Sequence, residues 1–162
     1  MVVSLALNEP PATGILVGIP DVAEMLKDWG NELAPAREAF KAGDTNAGIP
    51  LFVNAVGGPG AYERRSDAAK KMNSDNVASY AADATTKRPR PIFTCDMAKK
   101  ITAPTLLSNG ERSPKFFYRI IDQLELCLQN RERIVIAGSS HTVPSESPDA
   151  YDLAVLAFLM KH

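Results

Sequence analysis

Cysteine and histidine are scarce in this 162-residue chain, at two each, and that scarcity removes whole classes of chemistry. His162 is the last residue, and no paired Cys or His-x-x-x-His spacing occurs, so a transition-metal centre lacks ligands. No apolar run approaches the roughly 20 residues that a bilayer-spanning helix needs. Charge of neither sign is in excess: 18 Lys and Arg face 19 Asp and Glu, which gives no surface for nucleic acid or an anionic membrane. The glycine-rich GGPG at 57–60 lacks the Lys-Ser/Thr that follows in a phosphate cradle, so it reads as a turn. Nothing in the pattern asks for a cofactor. The opening MVVSLALNEPP has no basic start and meets Glu9, Pro10 and Pro11 too early for a secretory signal. These absences point to a cytoplasmic protein. Cys95 and Cys127 then read as reduced packing residues, Cys127 on an apolar helical face.

What is present suits one ordinary α/β domain. Apolar residues make up 45% of the chain, enough for a real core at this length. Three short apolar runs, each closing on turn residues, are predicted strands: VVSLAL at 2–7, PTLLSN at 104–109 and RIVIA at 133–137. None alternates cleanly, which favours strands covered on both faces. Between the second and third, Phe117, Ile120, Ile121, Leu124, Cys127 and Leu128 recur at helical spacing, with Ser113 as expected cap and Pro114 in the first turn. A strand, helix, strand unit makes the two strands parallel with a right-handed crossover. After the third strand, Ser147 is the expected cap and Pro148 the start of a closing apolar helix, PDAYDLAVLAFLMKH, expected to lie on the sheet.

Nearly a hundred residues separate the first two strands, and they contain no convincing strand. DVAEMLKDWGNEL, LAPAREAFKAG, IPLFVNAVGG and AYERRSDAAKKMNSDNVASYAADA read as short helices broken by Gly and Pro. TKRPRPIF reads as an extended return and CDMAKKI as a last short helix. A long helical insertion between two strand ends is expected to be a lid, which covers a site at strand tips. The basic residues Arg64, Arg65, Lys70 and Lys71 alternate with Glu63, Asp67 and Asp75, the pattern of a solvated helix face.

Three segments, LALNEPP, KKITAPTLLSNGERSP and IVIAGSSHTVPSESPDAYDLAVLAFLMKH, carry a resemblance to the α/β-hydrolase family. The second resembles its I-x-x-P-T-L-L-x-x-G strand. The third resembles its I-x-G-x-x-H turn, P-x-x-(F/Y) and closing F-L helix. The resemblance covers the C-terminal half of that fold, strongly over the final sixty residues and only by pattern in the lid. It implies a three-stranded parallel sheet with flanking helices and a helical lid, in which residues 1–11 and 101–162 form a partial core and 12–100 the lid.

By the same resemblance His141 takes the place of the general base, able to deprotonate a serine or activate water on an ester intermediate. Many relatives place the acid at about Ser113, which cannot charge-stabilise an imidazolium. Others place it at the tip of the strand matching VVSLAL, where Glu9 stands. Glu9 is the favoured orienting carboxylate, with Glu111 as the alternative. The family's nucleophile sits in a G-x-S-x-G elbow beside backbone donors for the oxyanion. No such pentapeptide occurs here, so that machinery is expected upstream of Met1. Ser139 and Ser140 adjoin His141 but are poor substitutes, since neighbours on a turn rarely point at each other. Ser74-Asp75-Asn76 has no Ser-x-x-Lys or Lys-Thr-Gly companion.

The expected function is that of a truncated or split hydrolase, inactive alone, descended from an ester, epoxide, halide or carbon–carbon bond hydrolase. An alternative is a binding or assembly module that holds a small apolar ligand against Trp29, Phe52, Val56 and Tyr62. A third is a stand-alone enzyme with its site built across a dimer. The VVSLAL strand would leave an open apolar edge. Either a homodimer pairs two such edges into a six-stranded sheet, or a separate chain supplies the N-terminal half.

Overall fold

In the computed structural model the structure describes residues 2–86 and 92–162. The described residues fall into two compact units, Met1–Val22 with Pro91–His162, and Ala23–Arg90. TKRPRPIF, expected to be extended, lies mostly outside the described residues.

The first unit is built on a sheet of order β1-β2-β3, with β1 at Leu5–Asn8, β2 at Thr105–Gly110 and β3 at Arg131–Ile136. Both pairings are parallel; Asn8 sits opposite Ser108, and Ser108 opposite Ile134. β1 starts three residues later than VVSLAL implied, and Val2 and Val3 are exposed. Every residue of β2 is buried, whereas β1 and β3 are only partly covered. Coverage on both faces therefore holds for the central strand alone, because the outer two each lack a neighbour on one side among the described residues.

Helix α6, Lys115–Cys127, lies against β2 and against a 3-10 turn at Thr13–Leu16. Its apolar stripe, Phe117, Ile120, Ile121 and Leu124, is buried in full, so truncating either isoleucine to alanine costs about 2 to 5 kcal/mol. Ser113 does not cap this helix. The N-cap is Pro114, without a side-chain hydrogen bond, and the buried Ser113 hydroxyl has no hydrogen-bond partner among the described residues. Ser147 likewise makes no capping bond to helix α8, Pro148–Lys161; its hydroxyl accepts from Ser139 Oγ at 2.7 Å. A short helix α7, Val143–Glu146, precedes it.

Of α8 only Phe158 is fully buried; Leu153, Leu156 and Met160 are exposed. Its apolar residues surround the axis instead of forming one stripe, so one contact face cannot bury them all. Its end is fastened to β3 by Glu132, which accepts from Lys161 at 2.6 Å and meets His162 Nε2 at 2.9 Å.

In the second unit, the two segments expected as separate helices form one, α1, Val22–Lys41, which continues through Pro35. Helix α2, Thr45–Gly57, holds Pro50 and is capped by Asp44, whose side chain accepts from Ala47 N–H at 3.0 Å. Helices α3, Asp67–Asp75, and α4, Val77–Thr85, follow. Ala36, Phe40, Ile49, Val53 and Ala61 make its core, with Phe52, Tyr62, Val77 and Tyr80 packed on it. The basic cluster is dispersed locally: Lys71 pairs with Asp75 at 2.8 Å, Arg65 donates to Asn73, and Lys70 stands over the Tyr62 ring.

Helix α5, Cys95–Ala98, corrects the reading of the cysteines as reduced. Cys95 and Cys127 form a disulfide that joins α5 to the end of α6 across 32 positions of sequence. Helical spacing showed that Cys127 faces inward but not that Cys95 meets it. Closing a loop of this length restricts the unfolded chain, so replacing both cysteines by serine is expected to lower stability by about 3 to 4 kcal/mol in urea unfolding.

Candidate active site

The tips of the three strands converge on Glu9. Its backbone has φ of 41°, a left-handed conformation that costs a non-glycine residue about 1 to 2 kcal/mol. Its amide still donates to Ser108 O at 3.2 Å, extending the β1–β2 ladder by one bond. Its side chain is wholly shielded from solvent, where an unpaired carboxylate would be costly. Three donors offset that cost: Gly110 N–H at 2.9 Å and Asn109 Nδ2 at 3.4 Å on Oε1, and His141 Nδ1 at 2.8 Å on Oε2.

A carboxylate only accepts, so the contact assigns a proton to Nδ1, and in the neutral ring the lone pair then lies on Nε2. The His141 ring also lies against the Phe117 ring, centroids 4.0 Å apart and 15° between planes. Glu9 fixes which nitrogen faces inward, and Phe117 fixes the plane of the ring.

The loop bearing His141 is held from several sides. Gly138 has φ of 69°, which suits glycine. Its N–H donates to Glu111 Oε2 at 2.8 Å, Arg112 Nη2 donates to its carbonyl, and Arg112 N–H donates to Ser139 O at 2.8 Å. A Cβ on Gly110 would stand 2.3 Å from Ser140 O, so only glycine lets the two loops meet. Asn8 Nδ2 donates to His141 O at 3.3 Å. Glu146 accepts from Ser140 N–H at 2.6 Å, Ser140 Oγ at 2.5 Å and Thr142 Oγ at 2.8 Å. Burial opposes the charged form of Glu146, but these hydrogen bonds outweigh it and hold its pKa below the ordinary 4.5. Burial, reinforced by the Glu9 charge, pushes the Tyr118 phenol above 10.0, and its hydroxyl donates to Gly110 O at 3.0 Å.

The structure thus brings Glu9 and His141 together and gives Glu111 a different task, binding Gly138. Trp29, Phe52, Val56 and Tyr62 belong to the helical unit, where Phe52 and Tyr62 pack on its core, Val56 is buried and Trp29 half-buried. Among the described residues no group of three or more His, Cys, Asp or Glu suits a metal ion, and no helix is long and apolar enough to cross a membrane. Sequence reading missed Phe117 as a partner of the imidazole, since it looked only like one member of a core stripe. Glu146 and Asn109 were missed as well; Glu146 stands four residues after Thr142, one past the capping-box position, so the sequence carried no such signal for it.

No protein-family model matches the chain, and neither does any curated protein. Solved structures do. MGS-M2, an α/β-hydrolase enzyme from a Medee basin deep-sea metagenome library, superposes with a TM-score of 0.63 at 20% identity, over 98% of this chain and 56% of its own. Est816, described as an N-acyl homoserine lactone degrading enzyme, gives 0.63 at 21%, over 97% and 58%. Carboxylesterase CesB from Bacillus subtilis gives 0.58 at 17%, over 97% and 51%. The likeness shows the fold: a three-stranded parallel sheet with flanking helices, part of an α/β-hydrolase fold. The chain spans between 51% and 58% of the length of these three structures.

A folded-state pKa below 4.5 means that Glu146 contributes stability present above that value and lost as pH falls through the lower one. Thermal unfolding followed from about pH 6 to pH 3 should show Glu146→Gln destabilised near pH 6 and converging on the unmodified chain toward pH 3.

Proposed function

We propose that this chain supplies the base and the acid of an α/β-hydrolase triad, and that the nucleophile and oxyanion donors come from outside these 162 residues. The observation that carries the reading is the 2.8 Å contact between His141 Nδ1 and the fully buried Glu9 carboxylate. In the proposed reaction His141 Nε2 takes the proton from the incoming hydroxyl nucleophile as it attacks the substrate, and Glu9 stabilises the imidazolium that results. His141 then returns the proton to the leaving group. The same base deprotonates the water that hydrolyses the covalent intermediate. The helical unit between β1 and β2 serves as the lid, and Trp29, Phe52, Val56 and Tyr62 as its apolar ligand surface. Acyl esters are the first substrate class to try, since CesB and Est816 are named for a carboxylesterase and for lactone degradation; epoxide, halide and carbon–carbon substrates follow.

The chain alone is expected to leave chromogenic short-chain esters intact. Joined by a polypeptide carrying the strand–G-x-S-x-G–helix half, it is expected to turn them over, with His141→Ala abolishing the reaction and Glu9→Gln slowing it about 10⁴-fold, as amide replacement does in a comparable triad. Turnover by the chain alone that His141→Ala abolishes would place the nucleophile within these residues and overturn the proposal.

Completion of the sheet is part of the same reading. β1 is an outer strand, Val2 and Val3 are exposed beside it, and α8 exposes Leu153, Leu156 and Met160. We propose that β1 pairs with a second copy around a twofold axis or with the strand that precedes it in a complementary half. Light scattering at micromolar concentration should report a dimer or a one-to-one complex; a monomer with β1 ordered would sink this part. The cytoplasmic setting expected from the sequence would keep Cys95 and Cys127 reduced, whereas their bond suits an oxidising compartment. Free-thiol titration of protein isolated under acid quench from its native compartment decides between the two.

A further inference from the structure

Behind Glu9 stands a second polar chain that the proposed reaction does not itself use. Asn109 is fully buried at the end of β2, its Nδ2 toward Glu9 Oε1 at 3.4 Å and its Oδ1 accepting from Arg133 Nη2 at 3.2 Å. Arg133 lies opposite Leu107 in the β2–β3 register, two residues from the position opposite Asn109 and so on the same face of the sheet. Its guanidinium is fixed in turn by Asp122 at 2.7 Å and Glu125 at 2.9 Å, both on α6, and lies over the Tyr118 ring. Burial works against the charge on Arg133, but the hydrogen bonds to Glu125 and Asp122 outweigh it and raise its pKa above the ordinary value.

A guanidinium has donors and no acceptor, whereas a carboxylate has acceptors and no donor. An amide placed between them has one satisfactory orientation. The opposite flip would set Asn109 Oδ1 against the Glu9 carboxylate and its NH₂ against the guanidinium, two mismatches at an amide that is itself fully buried. From this we infer that Arg133 and Asn109 are positioning residues for Glu9: Arg133 dictates the orientation of the Asn109 amide, and the amide delivers a donor that holds the acid against His141. The inference rests on the reading of Glu9 and His141 as the acid and base.

The test is nuclear magnetic resonance on the ¹⁵N-labelled chain, reading solvent exchange of the Asn109 Nδ2 protons and the tautomer of neutral His141 from its ring nitrogens. In the unmodified chain the Asn109 protons are expected to exchange slowly and His141 to carry its proton on Nδ1. Arg133→Met should speed Asn109 exchange about tenfold, the effect of one hydrogen bond lost, and shift His141 toward the Nε2–H tautomer; Arg133→Lys should restore part of both. Unchanged exchange in a folded Arg133→Met chain overturns the relay. Should that variant not fold, Asp122→Asn with Glu125→Gln loosens the guanidinium in place, and unchanged exchange there overturns it equally. Neutral His141 protonated on Nε2 in the unmodified chain would instead sink the acid–base pairing, whatever Asn109 does.

Discussion

A carboxylate with no access to solvent, at a strand end, sets the terms for the first unit. Glu9 cannot stay there without donors, and the three donors come from two separated stretches: Gly110 and Asn109 at the end of β2, and His141 on the loop after β3. Each imposes a further demand. Gly110 must lack a side chain to let Ser139 and Ser140 approach; Asn109 must have its amide aimed; His141 must sit on a loop that Glu111, Arg112 and Glu146 hold in place. The left-handed backbone at Glu9 belongs to the same account, since strain at one residue persists only where its surroundings over-determine it.

The hydrophobic part of the design is simpler and is concentrated in β2 and α6. A central strand buried along its whole length and a helix with one continuous apolar stripe give a rigid platform, and the disulfide closes the far end of that helix against α5. The outer elements are less complete. β1 has no strand neighbour on one side among the described residues, and α8 buries only one of its large residues fully.

Much of this was legible in the sequence because it rests on local pattern. The apolar runs and their turn residues located the strands to within three residues at each start, and the spacing of Phe117, Ile120, Ile121 and Leu124 located α6. What the sequence could not show was contact between distant residues. Cys95 and Cys127 carry no mark of bonding in a chain with only two cysteines, and Phe117 looks the same whether it packs on leucine or on imidazole. Ser113 and Ser147 matched the preference for a helix cap, yet tertiary contacts sent one hydroxyl inward and the other to Ser139. DVAEMLKDWGNEL and LAPAREAFKAG look like separate helices in sequence, yet α1 runs through both and through Pro35, with Ala36 and Phe40 packed in the helical core.

The pairing of Asn8 with Ser108 has an implication for how the first unit assembles. Side chains alternate along a strand, so displacing β1 by one position would turn Glu9 away from Gly110 and set Asn8 or Pro10, neither of them a carboxylate, before its donors. Displacing it by two would carry the carboxylate roughly 6 to 7 Å along the strand, beyond reach of the imidazole. A short strand of four residues has little else to choose its alignment by. The buried carboxylate therefore acts as the index mark by which β1 recognises its correct alignment on β2, and the alignment of the sheet and the placing of His141 depend on the same side chain.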